Sequence, residues 1–106
     1  MGKSYLQQEH RIFTRYIIEG LATLVIKGSL KTPVVLIDLC PRGAGIYCNQ
    51  FFEVGEEIEI VMNYFFGKVI NKKAKVVWCV EVDKGSSWRM GLDFGLDNLL
   101  QLDNVN

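Results

Sequence analysis

Residues 73–82, KAKVVWCVEV, alternate between two kinds of side chain along most of their length. On an extended chain, one face would be entirely aliphatic or aromatic, with Ala74, Val76, Trp78, Val80 and Val82. The other face would be mixed, with Lys73, Lys75 and Glu81 beside Val77 and Cys79. A period of two residues is typical of a β-strand with one buried face. The alternation predicts a strand whose apolar set, Trp78 included, faces the core.

Segments on both sides of this strand have strand-like patterns as well. Residues 57–60, EIEI, alternate between glutamate and isoleucine. Residues 88–94, WRMGLDF, place large apolar side chains opposite Arg89 and Asp93. Residues 17–27 and 34–39 are rich in aliphatic and β-branched residues, and Gly20 is a predicted bulge.

Short segments rich in glycine separate these strands. The predicted turns are residues 28–31, 43–45, 54–56 and 83–85, while residues 63–71 fit either a strand or a loop. Many short strands at this spacing predict an antiparallel all-β barrel or sandwich. Asp97 is expected to cap a short final helix that runs through Leu102.

Composition excludes several classes of protein. The chain has 106 residues, 49% of them hydrophobic, which suits one domain with a buried core. Twelve basic and twelve acidic residues cancel, which disfavours non-specific binding of polymeric nucleic acid. No apolar run is long enough to span a membrane, and the N-terminus has no signal-peptide pattern. We expect no membrane insertion.

The cysteines and the single histidine provide little material for catalysis. Three cysteines without a CxxC spacing fit neither a disulfide framework nor a zinc site, so we expect reduced thiols and a cytoplasmic location. The HExxH motif, the P-loop and the nucleophile elbow are all absent from the sequence. We therefore expect that the protein is not an enzyme and holds no metal and no cofactor.

Arginine is concentrated in two short segments. The chain has four arginines; Arg11 and Arg15 are four residues apart, and Arg42 lies within residues 38–43, DLCPRG. The planar guanidinium matches the two acceptors on a guanine edge, or two phosphate oxygens, in a way that lysine does not. This concentration predicts recognition of an anion or a nucleotide. The alternative is that Arg11 and Arg15 are ordinary charges of a solvated N-terminal arm.

A hairpin would bring the two segments together. If residues 28–31 form the turn, residues paired across it have numbers that sum to about 59. Arg15 would then lie opposite Gly43 and Ala44, to within a few residues. The spacing predicts a composite site at one end of the sheet.

The two segments resemble the motifs of PilZ domains. Residues 11–15, RIFTR, match the RxxxR motif of that family. Residues 38–43 resemble its second motif, which is an Asp or Asn, a Ser two residues on and a Gly three residues further. Residues 54–56 are similar to the Gly-acid turn that follows in the family, and residues 76–78 and 88–94 look like its last two strands. The similarity covers about residues 8–96, and the order and spacing of the motifs make it fairly specific.

The resemblance implies a six-stranded antiparallel β-barrel with a short C-terminal helix. It also implies that the chain binds cyclic di-GMP, a bacterial second messenger. Arg11 and Arg15 would hold guanine edges and phosphates, while Asp38, Cys40 and Gly43 would take the second-motif positions. The candidate ligand-binding residues are His10, Arg11, Arg15, Asp38, Cys40, Arg42 and Gly43. We expect residues 1–10 to form a flexible arm and residues 11–106 to form the barrel domain.

Two positions near the motifs affect how the ligand would bind. The family usually has Ser where this chain has Cys40, and a thiol is a poorer hydrogen-bond partner than a hydroxyl. Losing one such bond costs about 1 kcal/mol, which weakens binding without abolishing it. By family analogy, the residue at His10 influences whether one or two ligand molecules bind, and the sequence leaves this stoichiometry open.

Simpler interpretations exist for several of these residues. Asp38 could be a turn residue that bonds its own backbone. Trp78, Trp88 and Phe94 are expected in the core rather than as a stacking surface. Surface aromatics are not evident, which disfavours a barrel that binds single-stranded nucleic acid.

The function predicted from these residues is that of a non-catalytic receptor. Cyclic di-GMP would order the N-terminal arm against the barrel, and the signal would pass to an unidentified output protein, because so short a chain is expected to have no output domain of its own. The alternative is a degenerate PilZ scaffold that does not bind the nucleotide and acts through protein contacts in pilus or motility control. The RxxxR motif and Asp38 favour the receptor, whereas Cys40 favours the scaffold.

Overall fold

The computed structural model describes residues 16–64 and 68–100. Within them, the chain forms six β-strands and a single turn of 3-10 helix. The strands are β1 (Tyr16–Ile26), β2 (Leu30–Cys40), β3 (Gly43–Cys48), β4 (Glu57–Tyr64), β5 (Lys68–Asp83) and β6 (Ser87–Asp93), and the 3-10 turn is Leu96–Asn98.

The six strands close into one antiparallel barrel. Their order around it is β1, β2, β3, β6, β5 and β4, and β1 pairs with β4 to complete the circle. This confirms the predicted six-stranded antiparallel barrel and excludes the sandwich. Closure gives each of these six strands a hydrogen-bonded neighbour on both sides. In the part of the chain that the structure describes, no helix is long and apolar enough to cross a membrane.

The barrel interior is filled by the alternating apolar side chains of all six strands. The predicted inward faces are confirmed at Ile58 and Ile60 on β4 and at Met90 and Leu92 on β6, all of which are buried. Phe94 is buried too, and Trp88 is partly buried against the core. Burial of this kind contributes about 25 cal/mol per Å² of apolar surface, which makes the interior the main source of stability.

A β-bulge in β5 overturns the prediction that Trp78 is in the core. The pairing of β5 with β6 shifts between Val76 and Trp78, so Val77 is an extra residue in the ladder. Ala74 and Val76, before the bulge, are buried, but Trp78 is 41% exposed, and Val80 and Val82 are exposed as well. An extra residue reverses the faces beyond it, because successive side chains point to opposite sides of a strand. Trp78 therefore lies on the outer surface of the barrel.

The first hairpin is shorter than predicted. Ile26 pairs with Leu30, and the turn is residues 27–29, so paired residue numbers sum to 56 as far as Gly20, and not to 59. Lys27 and Gly28 both have positive φ, at 53° and 81°, which is how two adjacent residues reverse the chain this tightly. The predicted bulge near Gly20 is confirmed by a register shift between Ile17 and Gly20. At the far end, Tyr16 pairs with Leu39. Arg15, which was predicted to lie opposite Gly43 and Ala44, is outside the described residues.

The second predicted turn is displaced as well. Residues 43–45 are the start of β3 rather than a turn, and the chain reverses at Pro41 and Arg42. Gly43 pairs with Cys40, and Gly45 pairs with Asp38. Both pairs lie between the turn and a register shift that separates Leu36 from Asp38. The glycines of this segment thus belong to the sheet itself, where their lack of a side chain shapes the barrel surface.

The segment after β6 (residues 94–100, the C-terminal segment) packs against the Pro41–Arg42 turn. The amide of Phe94 donates to the carbonyl of Arg42 at 2.7 Å, and the amide of Leu100 donates to the carbonyl of Pro41 at 2.7 Å. Phe94 and Leu100 are buried in the core. The turn is therefore fixed by the segment that covers it.

The prediction that Asp97 caps the final helix is wrong, and Leu102, the predicted end of that helix, lies outside the described residues. The 3-10 turn is Leu96–Asn98, its N-cap is Gly95, and Leu99 is already extended. The side chain of Lys72 caps the C-terminal end of this turn. Its Nζ donates to the carbonyl of Asn98 at 2.8 Å, to Oδ1 of Asn98 at 3.0 Å and to the carbonyl of Leu99 at 3.0 Å. A lysine on the barrel wall thus satisfies the acceptors that end this turn.

Candidate functional site

The outer face of β2, β3, β6 and β5 carries a row of four paired residues, here called the glycine row. Asp38 pairs with Gly45, Gly45 with Gly91, and Gly91 with Trp78. The row thus begins with a carboxylate, crosses two residues without side chains and ends at an indole. Adjacent strands lie about 4.8 Å apart, so the row spans the width of a nucleobase or more.

The two glycines are covered by their neighbours in the row. A Cβ built on Gly45 would lie 2.7 Å from Oδ1 of Asp38, and a Cβ built on Gly91 would overlap Nε1 of Trp78. The Asp38 carboxylate therefore lies over Gly45, and the Trp78 indole lies over Gly91. Any larger residue at either position would displace these groups, so the glycines make the floor of a shallow groove.

A second row, on the side of the Pro41–Arg42 turn, is polar. It pairs Cys40 with Gly43, Gly43 with Asp93, and Asp93 with Lys75. From the adjacent turn, Nε of Arg42 donates to Oδ1 of Asp93 at 2.7 Å, with the two side chains 44% and 27% exposed. This hydrogen bond and the charge of Asp93 raise the pKa of Arg42 above its already high value. Asp93 thus holds the Arg42 guanidinium at the groove wall, and the Nη donors take no part in the bond.

A third row, on the other side of the glycine row, is mainly apolar. It pairs Val35 with Tyr47, Tyr47 with Arg89, and Arg89 with Val80. The guanidinium carbon of Arg89 lies 5.8 Å from the centre of the Tyr47 ring, within range of a cation–π interaction. Arg89 therefore stands beside the glycine row on the side away from Arg42.

An open groove of about 500 Å³ lies over the glycine row, and Cys40, Gly43, Asp93 and Arg89 of the flanking rows line it as well. The described candidate residues predicted from the sequence all line it, namely Asp38, Cys40, Arg42 and Gly43. The structure therefore brings the second-motif residues to one site, and Cys40 is half-buried in its wall. His10, Arg11 and Arg15 lie outside the described residues.

The packing of two strands explains why residue 43 is a glycine. A Cβ there would overlap the carbonyl oxygen of Leu92, on the neighbouring strand β6. The backbone of β6 occupies the space in front of Gly43, so the close approach at this position is between two strands of the barrel.

The groove is also lined by residues that the sequence analysis did not name as site residues, among them Gly45, Trp78, Arg89, Gly91 and Asp93. Gly91 offered a signal, because a glycine in the middle of an alternating strand marks the close approach of another group. No sequence signal identified Trp78 as a site residue, since its exposure depends on the bulge in β5. The expectation that surface aromatics are absent is also wrong, because Trp78, Tyr47 and Phe51 are exposed.

A larger hollow of about 570 Å³ lies across β1, β4 and β5. Lys27, Lys73 and Lys75 line it together with Glu57 and Glu59, so its charges largely cancel. None of the candidate ligand-binding residues among those described lines this hollow. The smaller groove is the one that combines the motif residues with an aromatic face.

The side chains that line the groove offer several groups that can bind a ligand. The exposed indole offers a face for a planar base, Asp38 offers a carboxylate acceptor, and Arg42 offers guanidinium donors. Asp38 already has an interaction within the protein. Among the described residues, no group of three or more His, Cys, Asp or Glu side chains could hold a metal ion.

Comparison with known proteins agrees with this fold. A family model described as the PilZ domain matches residues 6–103. No curated protein matches the sequence significantly.

Three solved structures share the fold at low sequence identity. The inhibitor of motility MotI/DgrA of Bacillus subtilis has a TM-score of 0.69 and 13% identity, over 81% of this chain and 43% of that one. The PilZ domain of YcgR from Escherichia coli, solved with c-di-GMP, has a TM-score of 0.64 and 13% identity, over 91% of this chain and 82% of that one. The PlzA protein of Borreliella burgdorferi, in complex with c-di-GMP, has a TM-score of 0.60 and 19% identity, over 90% of this chain and 38% of that one.

The chain thus spans less than half the length of MotI/DgrA and of PlzA. Its closed six-stranded barrel, the convergence of the second-motif residues on one groove and the match over residues 6–103 lead to one conclusion. The chain belongs to the PilZ domain family.

Proposed function

We propose that this chain is a non-catalytic receptor for cyclic di-GMP that binds the nucleotide in the groove over the glycine row. The observation that carries the proposal is the convergence of Asp38, Cys40 and Arg42 on a groove floored by Gly45 and Gly91. Two of the structural neighbours are PilZ proteins solved with the same nucleotide. The receptor acts in the cytoplasm and relays ligand binding to a protein partner.

Each part of the groove suits one part of this ligand. A guanine base stacks on an aromatic face, and its N–H donors suit a carboxylate such as Asp38. Its O6 and N7 acceptors suit an arginine, and the two phosphates need further positive charge. Within the groove, the positive charges of Arg42 and Arg89 are offset by the negative charges of Asp38 and Asp93. The excess positive charge must therefore come from another part of the chain.

Chain connectivity supports Arg11 and Arg15 as that source. Arg15 is bonded to Tyr16, and Tyr16 pairs with Leu39, the residue between Asp38 and Cys40. The RxxxR segment thus joins the barrel at the end that carries the second motif. In this proposal, Arg11 and Arg15 close over the ligand and supply the charge-assisted hydrogen bonds that its phosphates and guanines require, and His10 adjoins them.

Isothermal titration calorimetry tests the proposal directly. Cyclic di-GMP titrated into the wild-type chain should give saturable heat at micromolar concentrations. Each charge-assisted bond is worth about 1.5–3 kcal/mol, so Arg15→Ala should lower the affinity by about tenfold or more. Lys31→Ala removes the same charge from an exposed position outside the groove and serves as the control. If the wild-type chain gives no heat at these concentrations, the receptor proposal fails.

A degenerate scaffold is the second candidate function. Two observations favour it: Cys40 replaces the usual serine, and the outer face carries exposed apolar side chains such as Leu21, which is 75% exposed. A scaffold would contact its protein partner equally well with and without cyclic di-GMP. Affinity capture from a bacterial lysate, repeated with and without the nucleotide, separates the two functions.

A further inference from the structure

The fourth arginine of the chain stands at the edge of the groove, and neither motif of the family contains it. Arg89 lies on β6, two residues before Gly91, so both face outward on the same strand. Its neighbour in the pairing is Tyr47 of β3, whose ring lies 5.8 Å from its guanidinium carbon. Arg89 is thus on the opposite side of the glycine row from Arg42.

The two arginines of the groove differ in how their charge is balanced. Arg42 is ion-paired with Asp93 at 2.7 Å. Within the part of the chain that the structure describes, Arg89 has no carboxylate partner and its one specific contact is the face of Tyr47. A cation–π contact orients a guanidinium without using its N–H donors, since the ring meets its face. The donor edge of Arg89 therefore remains available to a ligand.

We infer that Arg89 reads the O6/N7 edge of a guanine base stacked on Trp78. The inference rests on the proposed function and adds a specificity-determining residue to it. A base lying against the indole over Gly91 occupies the glycine row, and its edge faces one of the two flanking rows. On one flank Arg42 is ion-paired with Asp93, whereas on the other Arg89 has no carboxylate partner among the described residues, and its fork of donors matches the O6/N7 edge of guanine.

Tyr47 has a defined part in this arrangement. A long side chain such as arginine loses rotamer freedom on binding, and a ring that already holds its guanidinium reduces that loss. Tyr47 is thus a positioning residue, and the aromatic ring, rather than the hydroxyl, is the part that acts. A phenylalanine at position 47 should therefore preserve the orientation of Arg89, whereas a leucine should not.

The experiment compares cyclic di-GMP binding by the full chain and its variants in calorimetry. Arg89→Gln should lower the affinity by about tenfold or more, because a bidentate arginine–guanine contact is lost. Arg89→Lys should lose nearly as much, since lysine keeps the charge but not the fork. Lys84→Gln, in the exposed turn before β6, removes the same charge outside the groove and should bind as the wild type does.

The Tyr47 variants add an independent measurement. Tyr47→Phe should keep the wild-type affinity, and Tyr47→Leu should lower it by about threefold. Arg89 and Tyr47 are exposed, so thermal unfolding of all variants should resemble that of the wild type.

The outcomes separate this inference from the proposed function. If the wild type binds and Arg89→Gln binds equally well, the inference fails while the receptor proposal stands. If Arg89→Lys binds as the wild type does, Arg89 supplies charge only, and its assignment to the guanine edge is overturned. If the wild type does not bind cyclic di-GMP, both are overturned.

Discussion

At the scale of single residues, the absence of two side chains creates the groove. The missing side chain of Gly91 leaves room for the Trp78 indole, and that of Gly45 leaves room for the Asp38 carboxylate. Each glycine thus determines the position of a side chain on the neighbouring strand. The proposed binding surface therefore depends on two positions that have no side chain.

Gly91→Ala should impair binding while leaving the fold intact. The new Cβ would overlap the indole of Trp78 and push it off the sheet, which removes a stacking surface worth about 1–3 kcal/mol per base. We expect the affinity for cyclic di-GMP in calorimetry to fall by about tenfold. Gly20→Ala is the matched control, because a Cβ there meets no atom within 4 Å. Equal affinities for the two variants would show that the indole does not contact the ligand.

Cys40→Ser should strengthen binding. The position lines the groove, and the PilZ family usually has a serine there, whose hydroxyl is a better hydrogen-bond partner than a thiol. One recovered bond is worth about 1 kcal/mol, so the affinity should rise about fivefold. Cys79→Ser, at a half-buried position outside the groove, is the control. An unchanged or lower affinity for Cys40→Ser would place the ligand away from this wall.

The sequence predicts the residues of the second motif better than it predicts the groove around them. Asp38, Cys40, Arg42 and Gly43 are recognisable because they are close together in the chain and their types suit the ligand. Trp78, Gly91 and Arg89 come from two other strands, and only the pairing register brings them to Asp38. Residue types alone do not reveal such a register.

At the scale of elements, bulges decide which side chains are exposed. The strands at residues 57–60 and 88–94 alternate without interruption over their buried residues, so their inward faces follow directly from the sequence. In β5, one extra residue at Val77 turns Trp78 from the core to the surface. The residues around Val77 are all of types that suit a regular strand, so nothing in the sequence marks the position of the bulge. The prediction for β5 fails for this reason.

Lys72→Met should loosen the C-terminal segment. The ammonium of Lys72 donates to three oxygens of Asn98 and Leu99, and it also lies 5.9 Å from the centre of the Phe94 ring. Removing it leaves part-buried acceptors without a partner, at a cost of about 1–3 kcal/mol. We expect a lower midpoint in urea unfolding and faster amide hydrogen exchange at Leu100.

Lys73→Met is the control for this prediction. Lys73 is the next residue, is exposed, and contacts the C-terminal segment through its backbone carbonyl, which the substitution retains. Its stability should stay within about 0.5 kcal/mol of the wild type. The account of Lys72 as a cap is contradicted if the two variants lose stability equally.

At the scale of the whole molecule, the barrel is a rigid support for a site on its outer wall. The interior is filled by apolar side chains, so the ligand groove lies across the outside of four adjacent strands. A formal net charge of zero gives no long-range attraction for a dianionic nucleotide. Under the proposed function, selectivity comes from short-range contacts in the groove, where Arg42 pairs with Asp93 and Arg89 contacts Tyr47.

The most direct test of this account is a two-dimensional ¹H–¹⁵N NMR titration of the full chain with cyclic di-GMP. The two tryptophans provide an internal comparison, because Trp78 lines the groove and Trp88 is packed against the core and Phe51. We predict that the indole N–H signal of Trp78 and the amide signals of Gly45 and Gly91 shift strongly. The indole signal of Trp88 and the amides of the turn glycines Gly28, Gly55 and Gly85 should stay nearly unchanged. A spectrum in which the Trp78 and glycine-row signals do not move at saturating nucleotide, or in which only the turn glycines move, would contradict the account.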